Sequence, residues 1–191
     1  MIGRDRLRWP LLVAAVLCSL LWQASALASA ITIKNVATRL ADDGAYSLHA
    51  ELQMDFSEDT LEALGNGIPL NFRVRTRVVQ ERAVLWDLAV AEKVRYYQIQ
   101  YHALTGQYVV RNLTQNTQES FHTRSSAIES LRVLDKLQLI DAQRLADSEV
   151  HYNAGLRVSL DIESLPSPMR PWVWFSNDWQ LDSGWYIWRL K

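Results

Sequence analysis

Apolar and polar residues alternate along most of this chain, which is the pattern of half-buried β-strands. The longest such run, 46–56, places apolar side chains from Tyr46 to Phe56 on one face and polar side chains on the other. It follows segment 31–40, and the connection Ala41-Asp-Asp-Gly44 offers a glycine for a turn that needs a positive φ. We therefore predict an antiparallel hairpin with one solvent-exposed face.

Later segments repeat the two-residue period. Segment 70–78 follows Pro69, and segments 92–104 and 107–113 meet at Thr105-Gly106, which predicts a second hairpin. Segment 156–162 alternates in the same way. The proline-rich stretch 165–171 cannot continue a hydrogen-bonded ladder, so we predict an irregular crossing there.

Two segments favour helices. Ser57 can cap a short helix that begins with Glu58 and Asp59 and stops at Gly65-Asn-Gly67. In segment 123–137, apolar residues recur every third position, which predicts an amphipathic helix lying on the sheet: Ile128, Leu131, Leu134 and Leu137. The predicted fold is mainly β, an antiparallel β-sandwich or a curved sheet with one amphipathic helix and one short helix.

The N-terminal residues have the order of a secretory signal peptide. Basic residues at the start precede an apolar run, 10–22, and the small residues Ala26-Leu-Ala28 form a cleavage site, with Ala28-Ser-Ala30 as an alternative. The run is shorter than the ~20 residues of a spanning helix. We predict a signal peptide over 1–28 and one β-rich domain over 29–191; an uncleaved inner-membrane anchor is the competing interpretation.

Cysteine use and charge narrow the function classes. The only cysteine, Cys18, lies within the leader, so the exported chain has no disulfide, and Leu17 before it argues against a lipoprotein. Removing residues 1–28 changes the formal net charge from −1 to about −3. Such a near-neutral exported protein is not expected to bind nucleic acid. We expect it in the periplasm or cell envelope of a Gram-negative bacterium.

Catalytic and metal motifs are not recognisable in the sequence. The histidines have no short metal-ligand spacing: His49, His102, His122 and His151. There is no Gly-x-Ser-x-Gly elbow and no glycine-rich phosphate loop. We therefore predict no catalytic residues, no metal and no cofactor. Asp182-Ser-Gly184 is typical of a tight turn.

A basic stripe is the most informative polar feature. Arg73, Arg75 and Arg77 project from one face of a predicted strand, and Lys93 and Arg95 are expected to extend it on a neighbouring strand. Planar guanidinium groups side by side suit the phosphate or carboxylate groups of an anionic lipid or glycan. The alternative is a solvated face whose charges pair across strands.

Tryptophans concentrate in the C-terminal tail, and two interpretations stay open. They can close the core of the sandwich, which the large apolar area of the indole ring favours. They can also form an exposed aromatic surface, for which Trp179 and Trp188 are the candidates.

The tail sequence Asp178-Trp-Gln-Leu-Asp-Ser-Gly-Trp-Tyr-Ile-Trp188 resembles the end of a proteobacterial family of exported proteins of unknown function, sometimes labelled proline-rich signal peptide proteins. Stretches 64–70 and 101–108 are similar as well. The resemblance implies no catalytic residues. Family members often neighbour a membrane sensor kinase of the nitrogen-regulation type, which implies an envelope protein as partner. Most members are Trp-rich before the second long hairpin, where this chain has only Trp86.

The sequence is compatible with three functions. The leading hypothesis is a non-enzymatic envelope module that binds an envelope protein or an anionic envelope component, such as a lipid or a glycan. The second is an envelope hydrolase whose site is assembled from distant residues, for example His102 with a carboxylate. The third is a structural scaffold for other envelope proteins.

Overall fold

A computed structural model describes residues 30–82, 87–145 and 150–190. The predicted signal peptide over 1–28, with Cys18, and Trp86 lie outside the described residues. Within the described residues, no helix has the length and apolar character needed to span a membrane.

Most of the described chain forms strands. The strands are β1 (Ala30–Leu40), β2 (Ala45–Asp55), β3 (Leu70–Gln80), β4 (Leu88–His102), β5 (Gln107–Asn112), β6 (Thr117–Phe121), β7 (Val133–Asp141), β8 (Tyr152–Leu160) and β9 (Tyr186–Leu190). The helices are α1 (Glu58–Gly65), α2 (Arg124–Leu131) and α3 (Arg170–Phe175), with short 3-10 turns at Ala142–Arg144, Ile162–Ser164 and Asn177–Trp179.

The strands form two antiparallel sheets, as the sequence predicts. One has three strands in the order β1-β2-β7, and the other has six in the order β6-β5-β4-β3-β8-β9. The apolar faces of both sheets supply one buried core, with Leu48 and Leu52 from β2, Phe72 from β3 and Leu156 from β8. The inner face of the six-stranded sheet meets this core, and its outer face carries the basic stripe.

Both predicted hairpins are confirmed. β1 pairs with β2 around a turn in which Gly44 has a φ of +77°. β4 pairs with β5 around Gly106, whose φ is +64°. In each turn the left-handed backbone conformation favours glycine, because a Cβ there meets the following carbonyl.

The short helix is confirmed. The Ser57 hydroxyl accepts a hydrogen bond from the backbone N–H of Thr60 at 3.2 Å, and the helix ends before Asn66. Two further contacts tie its start to the C-terminal tail, because the hydroxyls of Ser57 and Thr60 donate to the carbonyl oxygen of Asp178 at 3.1 and 3.2 Å.

The predicted long amphipathic helix over 123–137 is half wrong. α2 ends at Leu131, and the following residues form strand β7. Leu134 and Leu137 are both buried, yet they are strand residues that flank a bulge. Lys136 within that bulge has a φ of +52°, and the extra residue keeps both leucines facing the core. The bulge thus produces a spacing of three, which resembles a helical period.

The remaining differences concern strand ends and the tail. β6 was not predicted, since its exposed polar sequence has no apolar face. β8 begins at Tyr152, before the predicted segment, and β9 pairs with it to form the edge of the larger sheet. The proline-rich crossing is confirmed as irregular over 165–169, but its last two residues, Arg170 and Pro171, begin α3.

Candidate functional site

The basic stripe forms on the outer face of β3, at the centre of the six-stranded sheet. Arg73, Arg75 and Arg77 alternate with residues that are buried in the core, among them Val74 and Thr76, so all three arginine side chains point away from the core and are half-buried. Their neighbours on β8 are Ser159, Arg157 and Gly155. Arg157 therefore joins the same face, a residue that the sequence analysis did not select.

Lys93 and Arg95 do not extend this stripe, so that prediction is wrong. In the β3–β4 register, Lys93 lies opposite Thr76 and Arg95 lies opposite Val74. Residues that face each other across a ladder share one side of the sheet, and Thr76 and Val74 are on the buried side. Lys93 and Arg95 consequently belong to the inner face, on the other side of the sheet from the arginine stripe.

Two arginines on the outer face have carboxylate partners. Arg73 donates to Asp161 at 2.7 Å, and its guanidinium also lies 5.9 Å from the centre of the Tyr96 ring. Burial lowers the pKa of Arg73, but the hydrogen bond and charge of Asp161 outweigh burial and raise it. Arg157 makes a two-pronged contact with the Asp182 carboxylate. These pairs balance the charges of Arg73 and Arg157.

Arg75 and Arg77 are held by an aromatic ring instead. The guanidinium carbon of Arg77 lies 4.1 Å from the centre of the Trp185 ring, and that of Arg75 lies 5.4 Å from it. These are cation–π distances. Neither side chain forms an ion pair with another described residue, although Glu92 is directly opposite Arg77 on β4. The Nε atom of Arg75 is buried and has no hydrogen-bond partner within the described ranges.

Gly155 makes room for the stack. A Cβ atom at this position would lie 3.2 Å from Trp185 Cε3 and 3.3 Å from Arg77 Cγ and Nε. Such distances are shorter than ordinary van der Waals contact. A glycine within a strand often marks this kind of close approach, and it was the sequence signal that could have indicated the site.

A tight turn before β9 positions Trp185. The Asp182 carboxylate accepts from the N–H of Gly184 at 2.9 Å, and Gly184 has a φ of +64°. Ser183 accepts from the N–H of Val158 at 2.9 Å, which ties the turn to β8. Burial raises the pKa of Asp182, but hydrogen bonds from Arg157 and Gly184 and the charges of Arg157 and Arg75 hold it below its usual value.

The stack borders an open cleft of about 460 Å³, which we call the Trp185 cleft. The cleft is lined by Arg75, Arg77 and Trp185, and also by two acidic residues, Asp87 just before β4 and Glu92 on β4. The cleft thus presents, beside an indole ring, two guanidinium groups that form no ion pair with a described carboxylate, although the charges of Arg75 and Asp182 interact at longer range. This arrangement suits a phosphate or carboxylate group attached to a larger molecule.

The two tryptophans predicted for an aromatic surface lie elsewhere. Trp179 is 6% exposed and packs in the core, so its assignment to the surface is wrong. Trp188 is half-buried against the core, and its indole Nε1 donates to the Thr38 hydroxyl of β1 at 2.8 Å. Both support the interpretation that the tail closes the core, since their large apolar rings gain most when removed from water.

The histidines do not converge. His49 contacts Asp135 at 3.2 Å on the three-stranded sheet, whereas His102 is at the far end of β4. The buried Nε2 of His102 has no hydrogen-bond partner, carboxylate or other, in ranges 30–82, 87–145 and 150–190. Within these ranges, no group of three or more histidine, cysteine, aspartate or glutamate side chains could hold a metal ion.

A family model described as a domain of unknown function, DUF4390, matches residues 28–189. The chain belongs to this family. No curated protein and no solved structure matches the chain.

Proposed function

We propose that this protein is an exported, non-enzymatic module of the bacterial cell envelope that binds an anionic group in the Trp185 cleft. The observation that carries the proposal is the pair Arg75 and Arg77, which are stacked beside Trp185 without carboxylate partners among the described residues. The neighbouring Arg73 and Arg157 each have a carboxylate, so the sheet leaves only part of its basic stripe for a ligand.

Export rests on the leader-like sequence over 1–28, which would deliver the domain to the periplasm. The ligand chemistry follows from the donors. Guanidinium groups hydrogen-bond two oxygens of one phosphate or carboxylate, and such charge-assisted bonds are stronger than neutral ones. Anionic lipid headgroups and acidic glycans share this chemistry. An acidic segment of an envelope protein, for example a sensor kinase, is the protein counterpart.

Trp185 has a defined part in this proposal. Its ring holds the Arg77 guanidinium in place, so less side-chain freedom is lost when the anion binds. The carboxylates of Asp87 and Glu92, which also line the cleft, repel anions that approach away from the arginines. The cleft would therefore select ligands whose negative group projects from a neutral or cationic body.

Binding to two probes tests the proposal. We would measure binding of the purified protein to vesicles of phosphatidylcholine with and without phosphatidylglycerol, and separately to polygalacturonate. The R75Q/R77Q variant should bind the preferred probe about tenfold to a hundredfold more weakly, because it loses charge-assisted hydrogen bonds. The matched control, R39Q/R124Q, removes the same charge from exposed positions elsewhere.

The comparison separates a specific site from general attraction. The control variant should keep most of the binding of the unmodified protein. An equal loss in both double variants would indicate attraction by overall charge and would refute the cleft. Failure of the protein to bind either probe would refute the lipid and glycan ligands.

A further inference from the structure

The two cations on the inner face of β4 have an environment of their own. Arg95 is only 8% exposed, although it carries a charged guanidinium. Its Nη2 donates to the backbone carbonyl of Gln138 on β7 at 2.6 Å. Its Nη1 is also buried, and it has no hydrogen-bond partner among the residues that the structure describes.

Two other cations lie on or against the same half of β4. Lys93 is two residues away on the same face of β4 and is half-buried. Arg144, in the 3-10 turn after β7, reaches the start of β4, where its Nη2 donates to the carbonyl of Val90 at 3.1 Å. The nearby acid is Asp141, at the end of β7. We call Lys93, Arg95 and Arg144 the inner cation cluster.

In the absence of an anion, the positive charges within the inner cation cluster repel one another. Burial lowers the pKa of Lys93, and the positive charges of Arg95 and Arg144 lower it further, whereas Asp141 opposes them. Burial also lowers the pKa of Arg95. A buried donor without a partner is costly, and buried charges in proteins are normally paired. The Arg95 Nη1 donor and the excess positive charge around it are therefore both available to an anion.

We propose that the inner cation cluster is a second anion site, separate from the Trp185 cleft, and that it binds one phosphate-type oxyanion at Arg95 Nη1. Lys93 and Arg144 supply the remaining positive charge. The two sites are on opposite faces of the six-stranded sheet, since β3 and β4 place their arginine side chains in opposite directions. Binding at one site does not depend on the other.

Isothermal titration with inorganic phosphate tests this site at constant ionic strength. The R75Q/R77Q protein, in which the Trp185 cleft is disabled, should still bind one phosphate ion. The single substitutions K93M and R144Q should each weaken that binding by about tenfold, because each removes one of the positive charges that attract the anion. R39Q is the matched control and should leave the affinity unchanged.

A second ligand distinguishes a free ion from a phosphoryl group on a larger molecule. Glycerol phosphate should bind as well as inorganic phosphate if the site accepts a phosphate monoester, and not at all if only the free ion fits; either result supports an oxyanion site. Heat of phosphate binding that is absent in R75Q/R77Q, or equal in R144Q and R39Q, would overturn the proposal.

The variants remain interpretable because Arg144 is exposed and its loss leaves the core intact. If R75Q/R77Q does not fold, the same comparison is made between R144Q and R39Q in the otherwise unmodified protein. The unmodified protein should then bind two phosphate ions, one at each site. R144Q should bind one, as long as the phosphate concentration stays below the dissociation constant of its weakened inner cation cluster. An unchanged number would overturn the site. The Trp185 cleft is tested separately, by the binding of R75Q/R77Q to vesicles and polygalacturonate.

Discussion

Arg77 and Trp185 lie against each other across the backbone of Gly155, with 4.1 Å between the guanidinium carbon and the centre of the indole ring. Arg77 is on β3, and Trp185 immediately precedes β9, so the contact spans the intervening strand β8. The C-terminal tail is therefore part of the candidate site as well as part of the core.

Adding a methyl group at Gly155 should disturb the stack. In G155A the new Cβ would approach Trp185 and Arg77 at 3.2 and 3.3 Å, which forces one of them to shift. Overpacking of this kind typically costs about 1–3 kcal/mol. We expect a lower midpoint of chemical denaturation and weaker anion binding. G65A is the control, because a Cβ there meets nothing within 4 Å. Equal stability of G155A and G65A would contradict the close contact.

The Asp182 carboxylate should contribute a pH-dependent part of the stability. Its pKa in the folded protein is held below its usual value, despite burial, by Arg157, Gly184 and Arg75. A group of this kind stabilises the fold above its unfolded pKa, about 3.9. The contribution is lost as the pH falls through the lower pKa of the folded state.

The substitution D182N should therefore destabilise the protein at pH 7, and the difference from the unmodified protein should shrink below about pH 4. Denaturation midpoints measured across this pH range check the prediction. D42N, at an exposed turn, is the control for loss of one negative charge. A difference between D182N and the unmodified protein that does not change with pH would show that the carboxylate's charge is not responsible.

The bulge in β7 should tolerate small or flexible residues and reject β-branched ones. Lys136 has a φ of +52°, a conformation in which a branched Cβ is strained. K136V should be less stable than K136G by about 1–2 kcal/mol in the free energy of unfolding. K34V, at a bulge in β1 where φ is not positive, is the control for introducing a branched residue in place of lysine. Equal stabilities of K136V and K136G would argue against the left-handed bulge.

Helix α1 should depend on its cap and on the tail that meets it. S57A removes the acceptor for the Thr60 N–H and a donor to the Asp178 carbonyl. Loss of an N-cap typically costs about 1 kcal/mol. We expect that decrease in the free energy of unfolding, with little change in anion binding, since the Trp185 cleft does not include α1. S47A, at another half-buried serine, is the control. A parallel loss of binding would link α1 to the site.

The sequence predicted the hairpins and α1 well because the relevant physics is local. Alternation, a glycine in a tight turn and a serine at a helix start each act within a few residues. The prediction of a helix for the β7 segment was wrong because the bulge at Lys136 places the buried Leu134 and Leu137 three positions apart. A sequence pattern alone cannot distinguish that spacing from the period of a helix. At such a residue the spacing of apolar side chains is that of a helix, although the backbone is a bulged strand.

The candidate site was predictable only in part. Arg73, Arg75 and Arg77 share a face because they are on one strand, whereas the face of Lys93 and Arg95 depends on pairing between strands. A change of one residue in register moves every side chain to the other face. The β4 sequence gives no warning, since neither of its alternating sets around Lys93 is purely apolar.

The most direct test of the Trp185 cleft follows its indole N–H by two-dimensional NMR during titration with phosphatidylglycerol headgroup, glycerol phosphoglycerol. W185F identifies the Trp185 signal, and Trp188, whose indole donates to Thr38, provides an internal reference. We predict that the Trp185 signal shifts until the cleft is saturated, that the Trp188 signal stays in place, and that R75Q/R77Q abolishes the shift. A Trp185 signal that does not move, or that moves equally in R75Q/R77Q, would contradict anion binding at Arg75 and Arg77.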